Sequence, residues 1–220
     1  LFPYTTLFRS QLSYMQEEEF ADLKKEIFHS QIYWFATNEN EPVIIDAEAH
    51  IGVASLYFKW LYPEAKILAF EPNPILANLY RENLTNNHLV NWQLEEVALG
   101  KHQGQQPFYY DGTSWQWYSV GSLKKGAWNG KQLAQQMTMV TVKRLCDYCS
   151  VLPRIDLLKM DIEGSEFAVL LSLKNYLPRI KNIIFEWHST ATNAKLSECR
   201  SFLEKSGYKV EWKNRTGKKL

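Results

Sequence analysis

The sequence predicts an α/β fold built on one doubly wound, mostly parallel sheet. Short, continuously apolar runs recur along the chain: VIIDA (43–47), KILAFE (66–71), IDLLKMD (155–161) and NIIFEWH (182–188). Runs of that length suit strands buried on both faces. Between them lie segments whose apolar residues return at three- and four-residue spacings, as helices require. The order strand, helix, strand, helix, strand completes the signature. With 220 residues, 45% of them hydrophobic, the chain is long enough for one domain with a real core.

Taken in order, the first ten residues, LFPYTTLFRS, carry no helical or strand period. They resemble the translation of a sequencing-library adapter, so residues 1–10 are read as a non-native tail. Residues 11–41 form an N-terminal helical segment, in which Phe20, Leu23, Ile27 and Phe28 line one face. Acids precede lysines along it, matching the helix dipole. Pro42 opens the main domain, 42–220. VASLYFKWLYP reads as a helix stopped at Pro63, and NPILANLYRENLTNN as a second helix. WQLEEVALG (92–100) reads as a third strand. At about 101–137 the pattern lapses into glycine, glutamine, serine and aromatics, an inserted hairpin or loop. TMVTVKRL alternates like a half-exposed strand, SEFAVLLSLKNYL and AKLSECRSFLEKSG are helical, and YKVEW (208–212) is expected to be a last strand.

Several function classes are disfavoured. A net charge of +1 without a basic stripe argues against nucleic acid as partner. No apolar stretch approaches the roughly 20 residues a membrane span needs, and no signal peptide is visible, so a cytoplasmic protein is expected. Cys146, Cys149 and Cys199 are too few for a disulfide framework. CDYC (146–149) lacks the further ligands of a zinc site and is expected to pack on a short helix, and no metal centre is expected.

In open parallel sheets a ligand lies beyond the carboxyl ends of the strands, where strand order reverses. The residues there are Asp46 through Gly52, Glu71, Glu96 to Ala98, Asp161 with Glu163, and Glu186 with His188. Glu71 follows Gly52 by roughly twenty residues, where an acid meets a ribose diol in nucleoside-binding folds. Asn73, in PNP, starts the next helix. A nicotinamide-binding turn would need G-x-G-x-x-G, and this loop has only Gly52.

Three motifs in order, DAEAHIG (46–52), FEPNP (70–74) and KMDIEGSE (159–166), resemble the FkbM-type family of S-adenosylmethionine-dependent methyltransferases. The resemblance spans roughly residues 40 to 212. It implies a class I, Rossmann-like methyltransferase fold and methyl transfer to a hydroxyl of a sugar, glycan or secondary metabolite. It implies that Asp46, Gly52 and the loop backbone hold the methionine end of S-adenosylmethionine and that Glu71 binds the ribose. Glu96 and Val97 would border the adenine, and Asp161 would sit beside the methyl group and acceptor. His188 is the candidate base, oriented by Glu186; a strand-end histidine is as often a packing residue.

Two departures stand out. Glu48 occupies a position where the family has glycine, so its side chain intrudes on the cofactor. The carboxylate either repels the methionine carboxylate or pairs with its ammonium, and weaker binding is expected than in a Glu48→Gly variant. Binding without turnover is therefore the second functional reading. After YKVEW only KNRTGKKL remains, so six strands and no seventh are expected. In the insert, Trp115, Trp117, Tyr118 and Trp128 either stack on a sugar acceptor or cap the core. Acceptor identity and oligomeric state are not legible.

Overall fold

The computed structural model describes residues 12–14, 17–111, 121–125, 135–189 and 194–213. The N-terminal tail, the four insert aromatics and residues 214–220 lie outside the described residues. Helix α1 (Glu17–Lys24) runs into a π-helical turn at Lys25–His29. The central sheet contains β1 (Val43–Ala47), β2 (Lys66–Phe70), β3 (Trp92–Glu95), β8 (Ile155–Met160) and β9 (Ile180–Phe185). Its order is β3-β2-β1-β8-β9, every pairing parallel, so the strand order reverses between β1 and β8. The register sets Ile44 beside Leu157, Ile45 beside Leu158 and Asp46 beside Lys159.

Every residue of β8 is buried, and so are four of five in β1, because helices cover both faces. On one face Ile44 and Leu157 pack with Tyr57 and Phe58 of α2 (Val53–Leu61) and Tyr80 and Leu84 of α3 (Pro74–Asn86). On the other, Ile45, Leu158 and Met160 pack with Leu145 of α4 (Leu145–Cys149), Val169 of α5 (Glu166–Ser172) and Leu203 of α6 (Leu196–Lys205). Each large aliphatic side chain so buried contributes about 1.5–3 kcal/mol.

The insert forms a second sheet of order β4-β7-β5-β6. Here β5 (Gly104–Asp111) and β7 (Gln135–Lys143) make a long antiparallel hairpin, with β4 (Ala98–Leu99) and β6 (Gly121–Ser122) on its two sides. Gly121 lies flat on Phe108, where an added Cβ would fall 2.0 Å from the ring.

Two expectations are corrected. The run 92–100 is not one strand: Val97 N–H donates to the Glu95 carbonyl at 2.9 Å, a three-residue turn that passes the chain from the first sheet to the second. Nor is YKVEW a strand. The Tyr208 hydroxyl donates toward the Leu177 and Ile180 carbonyls at 2.8 and 2.7 Å, and Trp212 sets its edge on Phe185. Side chains hold this segment down, and β9 has no strand neighbour on its outer side among the described residues.

Candidate active site

The loop after β1 is held from below by a buried ion pair. Lys159 Nζ lies 3.1 Å from Asp46 Oδ1 and also donates to the Glu48 carbonyl at 2.7 Å. Burial alone would lower the pKa of Lys159, but Asp46 outweighs it and holds the ammonium above its usual range. The other Asp46 oxygen accepts from the Ser55 hydroxyl at 2.7 Å, and Tyr80 donates on to Ser55 at 3.0 Å. Asp46 is thus wholly committed to fixing the loop.

Two non-glycine residues in the loop, Glu48 (φ 64°) and His50 (φ 53°), stand in the left-handed region, which costs a residue with a Cβ about 1 kcal/mol. Gly52 (φ 91°) begins α2, and a Cβ there would fall 2.8 Å from Leu84.

Glu71 joins the loop to β2. Its carboxylate accepts from the His50 N–H at 2.8 Å and the Asn73 N–H at 2.9 Å, while Asn73 Oδ1 caps α3 by accepting from Ile75 at 3.0 Å. Burial pushes Glu71 up to about 7, against the pull of those two N–H groups. Above pH 4.5 the unfolded chain has released this proton while the native chain keeps it, so stability falls as pH rises toward 7. The expected loss is about 3 kcal/mol between pH 4.5 and 8. His50, pushed down to about 4 by burial and Lys159, acts in the opposite sense below 6.5. Urea denaturation of the native protein against Glu71→Gln isolates the effect; equal pH slopes would exclude it.

A small, open cleft lies beside the loop. Glu48, Phe70, Pro72, Val97, Ile162 and Ser165 line one side, Phe108, Ser122 and Leu123 the other. Val97 is therefore in the cleft, whereas Glu96 is exposed, paired with Arg81 on α3, and not among the lining residues. Glu48 is half-buried, and burial followed by the charges of Glu71, Glu163 and Asp161 raises its pKa well above normal.

At the ends of β8 and β9 the structure brings Asp161, Glu163, Glu186 and His188 together. His188 Nε2 lies 3.4 Å from Glu163 Oε2, 3.7 Å from Asp161 Oδ1 and 3.8 Å from Glu186 Oε1. Its Nδ1 is 2.8 Å from Glu166 Oε1. The residue that orients His188 is therefore Glu166, not Glu186. Burial would lower the histidine pKa, but the Glu166 hydrogen bond and the charges of Glu163 and Asp161 push it up to about 9. Near neutrality the ring is protonated, while burial lifts Glu163 to about 7.

The Methyltransferase FkbM domain family model matches residues 46–210. The chain belongs to the FkbM methyltransferase family. Among relatives, Methyltransferase sdnD of Sordaria araneosa is 31% identical, over 84% of this chain and 81% of its own. The 2-O-methyltransferase NoeI of Sinorhizobium fredii is 32% identical, over 67% of this chain and 63% of its own. A solved FkbM methyltransferase from Methylobacillus flagellatus superposes with a TM-score of 0.54 at 15% identity. That match covers 91% of this chain and 51% of the other, and the likeness shows the class I, Rossmann-like fold. No helix among the described residues is long and apolar enough to cross a membrane.

Proposed function

We propose that this chain transfers a methyl group from S-adenosylmethionine to a hydroxyl of a sugar, glycan or secondary metabolite. The observation that carries the reading is the position of the Asp161–Glu163–His188 cluster. It stands at the ends of β8 and β9, and Ile162 and Ser165 of the same turn line the cleft running back to Glu48 and Phe70. Similarity to a 2-O-methyltransferase supports a hydroxyl acceptor.

The residues present fit the nucleoside half of the cofactor. Phe70 and Val97 offer it apolar walls, while Glu71, buried and not among the residues lining the cleft, would have to turn outward from the His50 and Asn73 N–H groups to reach a ribose diol. Bound there, S-adenosylmethionine would supply an electrophilic methyl group. Asp161 and Glu163 would orient the acceptor hydroxyl and take its proton, and cleft walls would exclude water.

The test is product formation. With labelled cofactor and hydroxyl-bearing acceptors, label should reach the acceptor oxygen. Asp161→Asn should slow transfer by about 100-fold or more, with affinity for S-adenosylhomocysteine little changed. Glu48 favours a second reading, binding without turnover. Cofactor binding with no transfer to any acceptor would establish that alternative.

A further inference from the structure

We propose that Asp161, Glu186 and His188 form a binding site for a divalent cation of the Mn2+ or Mg2+ class, placed to meet the acceptor oxygen. No metal was expected from the sequence, where the cysteines were the ligands weighed. The three ligand atoms come from residues just past the ends of two adjacent strands and lie within 4.8 Å of one another. His188 Nε2 is 3.7 Å from Asp161 and 3.8 Å from Glu186, too far for N–H···O hydrogen bonds. Those separations lie close to the spacing of donors around one ion, which small side-chain rotations would complete. Donors about 2.1 Å from one cation stand roughly 3 Å apart when adjacent and roughly 4.2 Å apart when opposite.

A second, independent observation lies beneath the cluster. Glu166 is fully buried, its Oε1 is 2.8 Å from His188 Nδ1, and its Oε2 has no hydrogen-bond partner among the described residues. A buried carboxylate on the far nitrogen is the arrangement that fixes a metal-binding imidazole and turns its other nitrogen outward. Here it turns Nε2 toward Asp161, Glu163 and Glu186.

Charge points the same way. Four carboxylates, those of Asp161, Glu163, Glu166 and Glu186, gather round one imidazole. Lys124 interacts with Glu166, and Lys159 also feels Asp161 but is held by Asp46. A divalent ion would neutralise the excess. One nitrogen and two carboxylates, without thiolate, select an oxygen-preferring ion. Asp161 and Glu186 side chains are 31% and 33% exposed, so the ion would keep open positions. There it would bind the acceptor hydroxyl and favour its ionised form. That role rests on the methyl-transfer reading, while the site itself does not.

The experiment is a titration of chelator-stripped full-length protein with Mn2+, following the free-ion electron paramagnetic resonance signal. The expected result is one ion per chain, with binding weakened at least about tenfold in Asp161→Asn and in Glu186→Gln. Circular dichroism checks each fold; should Asp161→Asn fail to fold, Glu186→Gln alone carries the test. No binding at millimolar Mn2+, or undiminished binding in the folded Glu186→Gln variant, overturns the proposal. Methyl transfer that proceeds at full rate in chelator removes the role at the acceptor and leaves the methyl-transfer reading intact. A chain that binds Mn2+ as expected yet methylates nothing upholds the site and removes that reading.

Discussion

Glu48→Gly is expected to tighten binding of S-adenosylhomocysteine by about tenfold or more, and to stabilise the fold as well. Two physical effects act together. The half-buried Glu48 side chain lines the cleft, facing Glu71, Glu163 and Asp161, whose charges already raise its pKa. Removing it deletes a carboxylate from a negative pocket, and 1.4 kcal/mol of relieved repulsion is about tenfold in affinity. Its backbone, at φ 64°, occupies a region that glycine enters freely. Relief of that strain should add about 1 kcal/mol of stability. Calorimetric titration and urea denaturation of both proteins check the two effects separately. Equal affinities would mean that Glu48 pairs with the methionine ammonium or swings clear of it.

Lys159→Met is expected to be the most damaging single change, lowering stability by about 4 kcal/mol. Lys159 is 4% exposed and Asp46 fully buried, and the pair sits in register across β1 and β8. Without the ammonium, Asp46 keeps only the Ser55 hydroxyl, and the Glu48 carbonyl loses its donor. A buried carboxylate left uncompensated costs far more than a surface ion pair is worth. Adding Asp46→Asn should recover part of the loss, because the stranded charge then disappears. Urea denaturation of the two single variants and the double variant measures the coupling. A cost below about 1 kcal/mol for Lys159→Met would show that the loop stands without the pair.

The middle of the central sheet was legible because β1 and β8 are buried on both faces, which leaves the unbroken apolar runs VIIDA and IDLLKM. The strand-end acids were legible because parallel topology puts their positions at one edge of the sheet. The break in 92–100 was not, since the apolar residues that join a second sheet look like continuation of the first. YKVEW alternates convincingly, yet a strand needs a neighbour, and Tyr208 instead binds the turn before β9. The partners of His188 depend on three-dimensional proximity: Glu166 is 22 positions away and opens a helix, where an acid has an ordinary role at the dipole. The same holds for Lys159, whose partner Asp46 lies on the neighbouring strand β1.

Ser122, on the short strand β6, donates its hydroxyl to the Glu163 carbonyl at 2.8 Å. That one bond gives the inserted hairpin a fixed purchase on the turn that carries the acidic cluster. The insert therefore divides into two kinds of position for natural selection. Substitutions at the Ser122 anchor act on the turn that carries Glu163. Substitutions at Phe108 or Leu123, which also line the cleft, can reshape its wall while the anchor holds the turn, so the cleft can change without disturbing the acidic cluster.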